Sequence, residues 1–309
     1  MKKFVWLLTA LAACFYAQAR AEDVSPAHAT AIAPGIFVAH GFTELANDIN
    51  HGAISNRAFI IGDEAVAVID TGGSLAAGVA LRSVIRTRTH LPIRYVINTH
   101  MHPDHVLGNA AFKAEGTVFA GHHKLPRALA ARQDQYLQAN RTLIGEAAFA
   151  GTEILPPTLA VTGEMVVDLG GRALRLTAHS TAHTDNDLTV FDEKTGTLFL
   201  GDLVFVEHLP VIDGSLNGWL GVLEGLAEHP AARAMPGHGP ASIDWPGGAE
   251  AQRRYLLDLR TKLRAAVRAG WPLAKALDAV PPLEAESWRL VEEFHRRNIS
   301  AAYSEMEWE

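Results

Sequence analysis

The sequence predicts an α/β fold, and two observations predict it. Residues 65–120 read strand, helix, strand, helix, strand, with β-branched runs alternating with helical patterning. Residues 165–200 repeat short strands set off by turn residues, and helices follow again. No stretch has linker composition and no repeat has a solenoid period, so the mature chain reads as one domain of two halves, each of strands followed by helices.

The first residues differ from the rest. Lys2 and Lys3 precede the apolar run Phe4–Tyr16 and then Ala19-Arg20-Ala21, a small-x-small cleavage site. This order of charge, apolar run and small residues predicts a signal peptide over 1–21, too short for a membrane anchor, and a mature domain over 22–309. The single cysteine, Cys14, follows Leu11-Ala12-Ala13 and offers a second reading, a lipoprotein anchored at Cys14. Phe15-Tyr16 fit a continuing leader better. Either way the mature chain has no disulfide, which with export points to a periplasmic protein stabilised by core burial. The composition, 48% hydrophobic and 20% charged, supplies a large core, and nothing after the leader is long enough to span a bilayer. The formal charge of −7 becomes −7 − 3 = −10 without Lys2, Lys3 and Arg20. That balance argues against nucleic acid or anionic lipid as a partner.

Residues from Glu22 to about Ala31 are small and polar and are expected to be poorly ordered. Ile36–Ala39, Ala58–Ile61 and Ala65–Ile69 predict short antiparallel strands. Ser74 is placed to cap a helix reaching about Thr89. Ile93–Thr99 predicts a buried strand, followed by a loop, a helix to about Ala114 and a strand at Thr117–Ala120. His123–Ala150 predicts helix with few large apolar residues, and residues 151–157 a connector. Met165–Val167, Ala173–Thr177, Leu188–Phe191 and Thr197–Leu200 are the strands of the second half. Ser215 caps a helix whose face is Leu216, Trp219, Leu220 and Leu223. Ala231–Met235 leads into the turn Pro236-Gly237-His238-Gly239-Pro240, and from Gly248 the chain is mostly helical.

The chemistry concentrates after the Ile93–Thr99 strand. His100 and His102 are two apart, so in an extended loop they point the same way and can share an ion. Pro103 suits the first position of a helix, which puts Asp104 and His105 in its first turn, aimed differently. The local geometry therefore predicts two adjacent metal positions. Further candidates lie where strands hand over to loops: His183 after Ala173–Thr177, Asp202 after Thr197–Leu200, and His238 in its tight turn. These are donors of the type zinc accepts.

Asp70, His100-x-His102-x-Asp104-His105, His183, Asp202 and His238 match in order and spacing the five motifs of the metallo-β-lactamase superfamily, which the chain resembles from about Gly41 to Pro240. The resemblance implies an αββα sandwich. It implies that His100, His102 and His183 hold one metal, that Asp104, His105 and His238 hold a second, that Asp202 bridges them, and that Asp70 orients the loop without touching metal. Asn56 with Ala58–Ile61, Val68–Ser74, Ile97–Asn109 and Asp213-Gly214-Ser215 with Gly218-Trp219 are similar to one exported branch, the quinoprotein relay system zinc metallohydrolases. That branch implies a functional link to periplasmic quinoprotein dehydrogenases. Ala182 and Asp185 stand where the superfamily often has glycine, which leaves His179 as a substitute ligand.

Two zinc ions are thus expected, with iron and manganese open to the same ligands, and hydroxide formed there is expected to attack the carbonyl of a small ester, thioester, amide or lactone. Asp104 and Asp202 are the catalytic candidates. His208, Asp213 and Trp219 follow Asp202 closely and are candidates for the substrate cleft, although Trp219 falls on the apolar helix face. No G-x-S-x-G elbow offers a serine nucleophile. A true β-lactamase is the alternative, weakened by the lack of a lactam-carboxylate anchor after His183. An iron-dependent redox protein, whose motif usually has Glu at the place of His102, and a non-catalytic metal-binding protein rank lower.

Overall fold

A computed structural model describes residues 28–309; the leader over 1–21 and Cys14 lie outside the described residues. The first sheet runs β1 (Ala29–Ala33), β2 (Ile36–Ala39), β3 (Arg57–Ile61), β4 (Val66–Ile69), β5 (Ile93–Ile97), β6 (Val118–His122), β7 (Leu159–Val161), in that spatial order. Its first four strands are antiparallel, as the turn residues between them require, and β4 to β7 are parallel. The parallel pairs need crossovers. They are supplied by α1 (Leu75–Arg88), by α2 (Pro103–Val106) with a 3₁₀ turn, and by α3 (Leu125–Ile144) with α4 (Glu146–Phe149). The second sheet contains β8 (Glu164–Asp168), β9 (Ala173–Ala178), β10 (Leu188–Asp192), β11 (Thr197–Phe205) and β12 (Arg233–His238), ordered β12-β11-β10-β9-β8. Helices α5 (Leu216–Ala227), α6 (Glu250–Arg268), α7 (Leu273–Ala279) and α8 (Val291–Glu307) belong to this half.

Side-chain alternation explains why the sheets pack face to face. In β3, Ala58 and Ile60 join the core between the sheets while Phe59 joins the core under α1. In β4, Ala67 and Ile69 face inward and Val66 and Val68 outward against Leu81, Val84 and Ile85. Leu174, Leu176, Val190 and Phe199 return the contact from the second sheet. The outer face of that sheet, Leu198, Leu200 and Val204, packs with Trp219, Leu223, Leu256, Leu259 and Ile299 from the helices. The fold is the four-layer αββα sandwich.

Four expectations need correction. Residues 29–33 form β1 because their backbone pairs with β2, whatever their composition. The helix expected to reach Ala114 stops after Val106, since Gly108 sends its N–H to the Gly72 carbonyl (2.8 Å) instead of continuing the helical ladder. The helix expected over 123–150 is α3 and α4, divided at Gly145, and β7 follows the connector unannounced. Asp202 and His238 lie within β11 and at the end of β12, not beyond strands that end earlier. Gly201, at φ +51°, lets β11 bulge and continue past Thr99, whose Cβ lies 2.6 Å from where a Cβ of residue 201 would sit.

Candidate metal centre

The loop after β5 is held before it can hold anything else. Thr99 donates its backbone N–H to Asp70 Oδ1 (2.9 Å) and its hydroxyl to Asp70 Oδ2 (2.8 Å). His105 Nδ1 donates to the same Oδ2 (2.8 Å). Asp70 is fully buried at the end of β4 with φ +56°, an uncommon conformation that these three bonds sustain. Beside it a buried amide pair, Asn98 and Asn109, ties the loop: Asn109 Nδ2 donates to Asn98 Oδ1 (2.8 Å), and Asn98 Nδ2 donates to the His105 carbonyl (3.1 Å). Asn56 does the same for the loop beyond β12. Its Nδ2 donates to the carbonyls of Pro236 (3.0 Å) and Gly239 (3.1 Å), and its backbone N–H to Gly237 (2.7 Å).

On this frame the seven expected residues converge as two groups, His100, His102, His183 and Asp202, and Asp104, His105 and His238, either of which could hold a metal ion. His102 Nδ1 lies 3.1 Å from His100 Nε2 and 3.0 Å from His183 Nε2. Partners on the far side of each ring assign the tautomers. His183 Nδ1–H is taken by the Val211 carbonyl (2.6 Å) and His102 Nε2–H by Asp213 Oδ2 (3.0 Å). Thr99 Oγ1, having given its proton to Asp70, accepts from His100 Nδ1 (3.0 Å). Three bare nitrogen lone pairs therefore point at one another, an arrangement that repels unless a cation lies between them.

Asp202 faces both groups. Oδ2 is 3.6 Å from His100 Nε2 and from His183 Nε2 and 3.5 Å from His238 Nε2, while Oδ1 is 3.2 Å from His105 Nε2. Asp104 Oδ2 lies 3.4 Å from His105 Nε2 and 3.2 Å from His238 Nε2. His105 Nε2 and Asp202 Oδ1 are buried with no hydrogen-bond partner of good geometry, the mark of atoms aimed at something other than protein.

The protein alone sets the charge states. Burial, then the neighbouring imidazoles, holds His100 well below the ordinary histidine range and His183 down to about 3, so both are neutral. Burial also opposes protonation of His105 and His238, but the carboxylates of Asp202 and Asp104 outweigh it. They raise His105 well above its ordinary value and His238 to about 9. Conversely, against their own desolvation, Asp104 and Asp202 are held well below the carboxylate range, chiefly by the His105 charge.

A cleft of about 500 Å³ opens over the two groups, lined in part by His102, Asp104, Asp202 and His238. His208 and Asp213 line it as expected. His208 Nδ1 donates to the Leu209 carbonyl (2.6 Å), and burial lowers the ring to about 4, so a neutral imidazole lines the cleft. Trp219 is the exception: its helix face packs on the second sheet, and it is fully buried outside the cleft. Its indole N–H is given to the Leu203 carbonyl (2.9 Å), and its ring lies 5.2 Å from that of His183. His179 is engaged with Thr189 Oγ1 (2.8 Å) and belongs to neither group. Despite Ala182 and Asp185, the turn around His183 is firmly built, with Asp187 accepting from both the backbone and the hydroxyl of Thr184 (2.8 and 2.7 Å). The sequence reading missed the opposite wall, formed by Arg132, Tyr136, Phe294 and Arg297. The only signal was the scarcity of large apolar residues in α3, which left one face without a core to cover.

Among solved structures the chain is similar to the sec-alkyl sulfatase PisA1, in a double mutant (TM-score 0.68, 16% identity, 90% of this chain and 50% of that one). It is also similar to the stereoselective inverting sec-alkylsulfatase Pisa1 from Pseudomonas sp. (0.65, 18%, 90% and 50%). The metallo-beta-lactamase from Pontibacter korlensis matches with TM-score 0.60 and 19% identity over 74% of this chain and 98% of that one. The chain spans about half the length of the alkylsulfatases. Comparison with curated protein sequences gives no match. A sequence profile described as the metallo-beta-lactamase superfamily matches residues 52–238, well over half of the 309 residues and the whole stretch from the loop before β3 to His238. With that match on the same histidines and aspartates that the fold gathers, the chain belongs to the metallo-beta-lactamase superfamily.

Proposed function

We propose that this protein is an exported dinuclear-zinc hydrolase acting on a small carbonyl substrate, an ester, thioester, amide or lactone. The observation that carries the reading is the convergence of three imidazole lone pairs, with Asp202 turned toward both groups. A tetrahedral zinc ion bound at about 2.0–2.1 Å spaces its ligand atoms about 3.3 Å apart, close to the separations within each group. His100, His102 and His183 would hold one ion and Asp104, His105 and His238 the other, with Asp202 shared. When bound, zinc brings the pKa of water to about 7 and polarises a carbonyl.

The chain's own residues do the rest. Asp70, Thr99 and Asp213 hold the histidines in the tautomers that present bare nitrogens. Asp104 is only partly buried on the cleft wall and uses Oδ2 toward His105 and His238, so its other oxygen is available to accept a hydrogen bond from a water in the cleft and orient it. His208 offers a neutral acceptor to a substrate N–H or O–H. Export rests on the leader expected over 1–21, and the link to a quinoprotein dehydrogenase on the branch motifs around Asn56, Asp70 and Asp213.

The test is elemental analysis of purified mature protein, followed by turnover of a cephalosporin, a thioester, a lactone and an aryl ester. Two zinc ions per chain and hydrolysis of at least one non-lactam substrate are expected. Chelation should abolish it and zinc restore it. Asp202→Ala should cost more than about a hundredfold, exceeding what loss of a group behind the ligands costs. Undiminished turnover in that folded variant would overturn the reading, and turnover of the cephalosporin alone would favour a true β-lactamase.

A further inference from the structure

The wall facing the two ligand groups has a character of its own. Arg132, Gln135, Tyr136, Ala139 and Leu143 recur along α3 at helical spacing and all line the cleft, and Phe294 and Arg297 of α8 join them. Six surface arginines, Arg141, Arg175, Arg253, Arg254, Arg264 and Arg296, each have a carboxylate oxygen at 2.6–3.0 Å. Neither arginine of the cleft has one so near. Among the described residues Arg132 has no carboxylate in ion-pair range, and its hydrogen bond is to the Ala128 carbonyl of its own helix at 3.5 Å. Arg297 is half exposed and reaches no nearer than 3.7 Å to Asp213 Oδ1, while Oδ2 of that carboxylate is engaged by His102.

Tyr136, one turn along α3 from Arg132, lines the same cleft. The charges of Arg132, Asp213, Asp104 and Arg297 all act on its phenol, and no residue among those described takes up its hydroxyl in a hydrogen bond. Leu45, Ile54, Leu143, Val211 and Phe294 give the rest of the cleft an apolar lining. A volume of about 500 Å³ suits a ligand of drug-like size.

We infer that the cleft selects substrates with an apolar body and an anionic group remote from the bond to be cleaved, the anion being gripped by Arg132 and Arg297 with the Tyr136 hydroxyl as a third donor. Guanidinium forks match the oxygens of a carboxylate or a tetrahedral oxyanion, and such charge-assisted bonds are the strong ones. The position of the cleaved bond rests on the hydrolase reading above. Recognition of the anion does not.

The experiment uses zinc-loaded mature protein and a matched set of para-nitrophenyl esters of one chain length, ending in methyl, carboxylate or sulfonate. In parallel, hexanoate, hexanesulfonate and hexanol are titrated calorimetrically. We expect kcat/KM for the charged esters to exceed that for the neutral one by about tenfold or more, a ratio that falls at least about tenfold in Arg132→Gln/Arg297→Gln, mainly through KM. Arg132→Lys/Arg297→Lys should recover part of it. Hexanoate or hexanesulfonate should lose at least about tenfold in affinity in the double Gln variant. The better of these two tells whether a planar or a tetrahedral oxyanion is the preferred group. If neither these esters nor the thioester and lactone turn over, the hydrolase reading fails while the titrations still decide the anion site. If esters turn over but charge gives no advantage, or the anions bind the double Gln variant as tightly, this inference is overturned and the hydrolase reading stands.

Discussion

Asp70 shows how much of the centre depends on residues that lie behind its ligand atoms. Its two oxygens accept three hydrogen bonds, from Thr99 N, Thr99 Oγ1 and His105 Nδ1. Asp70→Asn keeps the shape but replaces one acceptor by an NH₂, which meets a donor whichever way the amide turns. We expect zinc affinity to fall about 10–100-fold with the fold retained, read by competition with a chromophoric chelator alongside circular dichroism. Unchanged affinity would mean that the loop holds His105 without Asp70. Gly237 makes a similar demand on space: a Cβ there would lie 2.0 Å from Asp202 Oδ1. Gly237→Ala should therefore displace Asp202 and lower zinc stoichiometry, measured by elemental analysis. At this scale the sequence was legible where chemistry is contiguous. His100, His102, Asp104 and His105 identify themselves by spacing, and Asp202 and His238 by their strands. Arg132 and Arg297 do not, since they are 165 positions apart in the numbering and only the packing of α3 and α8 around one cleft relates them.

Among the elements, α8 has a capping role that no local pattern announces. Ser215 Oγ accepts from Gly218 N (2.9 Å) at the start of α5, as its residue type predicts. The same hydroxyl donates to Glu305 Oε1 (2.7 Å) on α8, and Glu305 also accepts from the first backbone N–H groups of α5, Leu216 (2.8 Å) and Asn217 (3.1 Å). A carboxylate at a helix N-terminus satisfies orphan donors and complements the dipole. Glu305→Ala should destabilise the protein by about 1–3 kcal/mol in urea titration, because it leaves these donors part-buried and unpaired. Because α8 also carries Phe294 and Arg297, the same variant should loosen the anion-selective wall before it disturbs zinc. The residues that predicted α1, β3 and β4 worked because alternation and capping are local. β1 and β7 escaped because short, small-residue strands are stabilised by their neighbours' backbones, and β11 was read too short because Gly201 resembles a strand end while serving as a bulge.

For the molecule as a whole, the metal-free fold holds opposite charges together between its two sheets, and this makes its stability depend on pH in a definite sense. In the metal-free protein His238 is raised to about 9, and His105 also lies above its ordinary value. Each has a higher pKa folded than unfolded, where 6.5 applies. Protonated imidazole held between Asp104 and Asp202 thus stabilises the fold fully below pH 6.5, and that contribution is lost as pH rises through about 9. A metal ion at this centre, zinc in the proposal above, would need these same nitrogens bare, so it would have to displace the protons and would bind more tightly as pH rises. Two measurements follow. The Tm of chelated protein should decline between pH 6.5 and 9 while that of zinc-loaded protein stays level or climbs, so that the gap between them widens. Titration of zinc into chelated protein at neutral pH should release protons, seen as an observed heat that changes with the ionisation enthalpy of the buffer. Replacing His238 by Gln should diminish both the widening gap and the proton release. If neither changes in that variant, the protons are held elsewhere, and the pairing of His238 with Asp104 and Asp202 does not govern the metal-free fold.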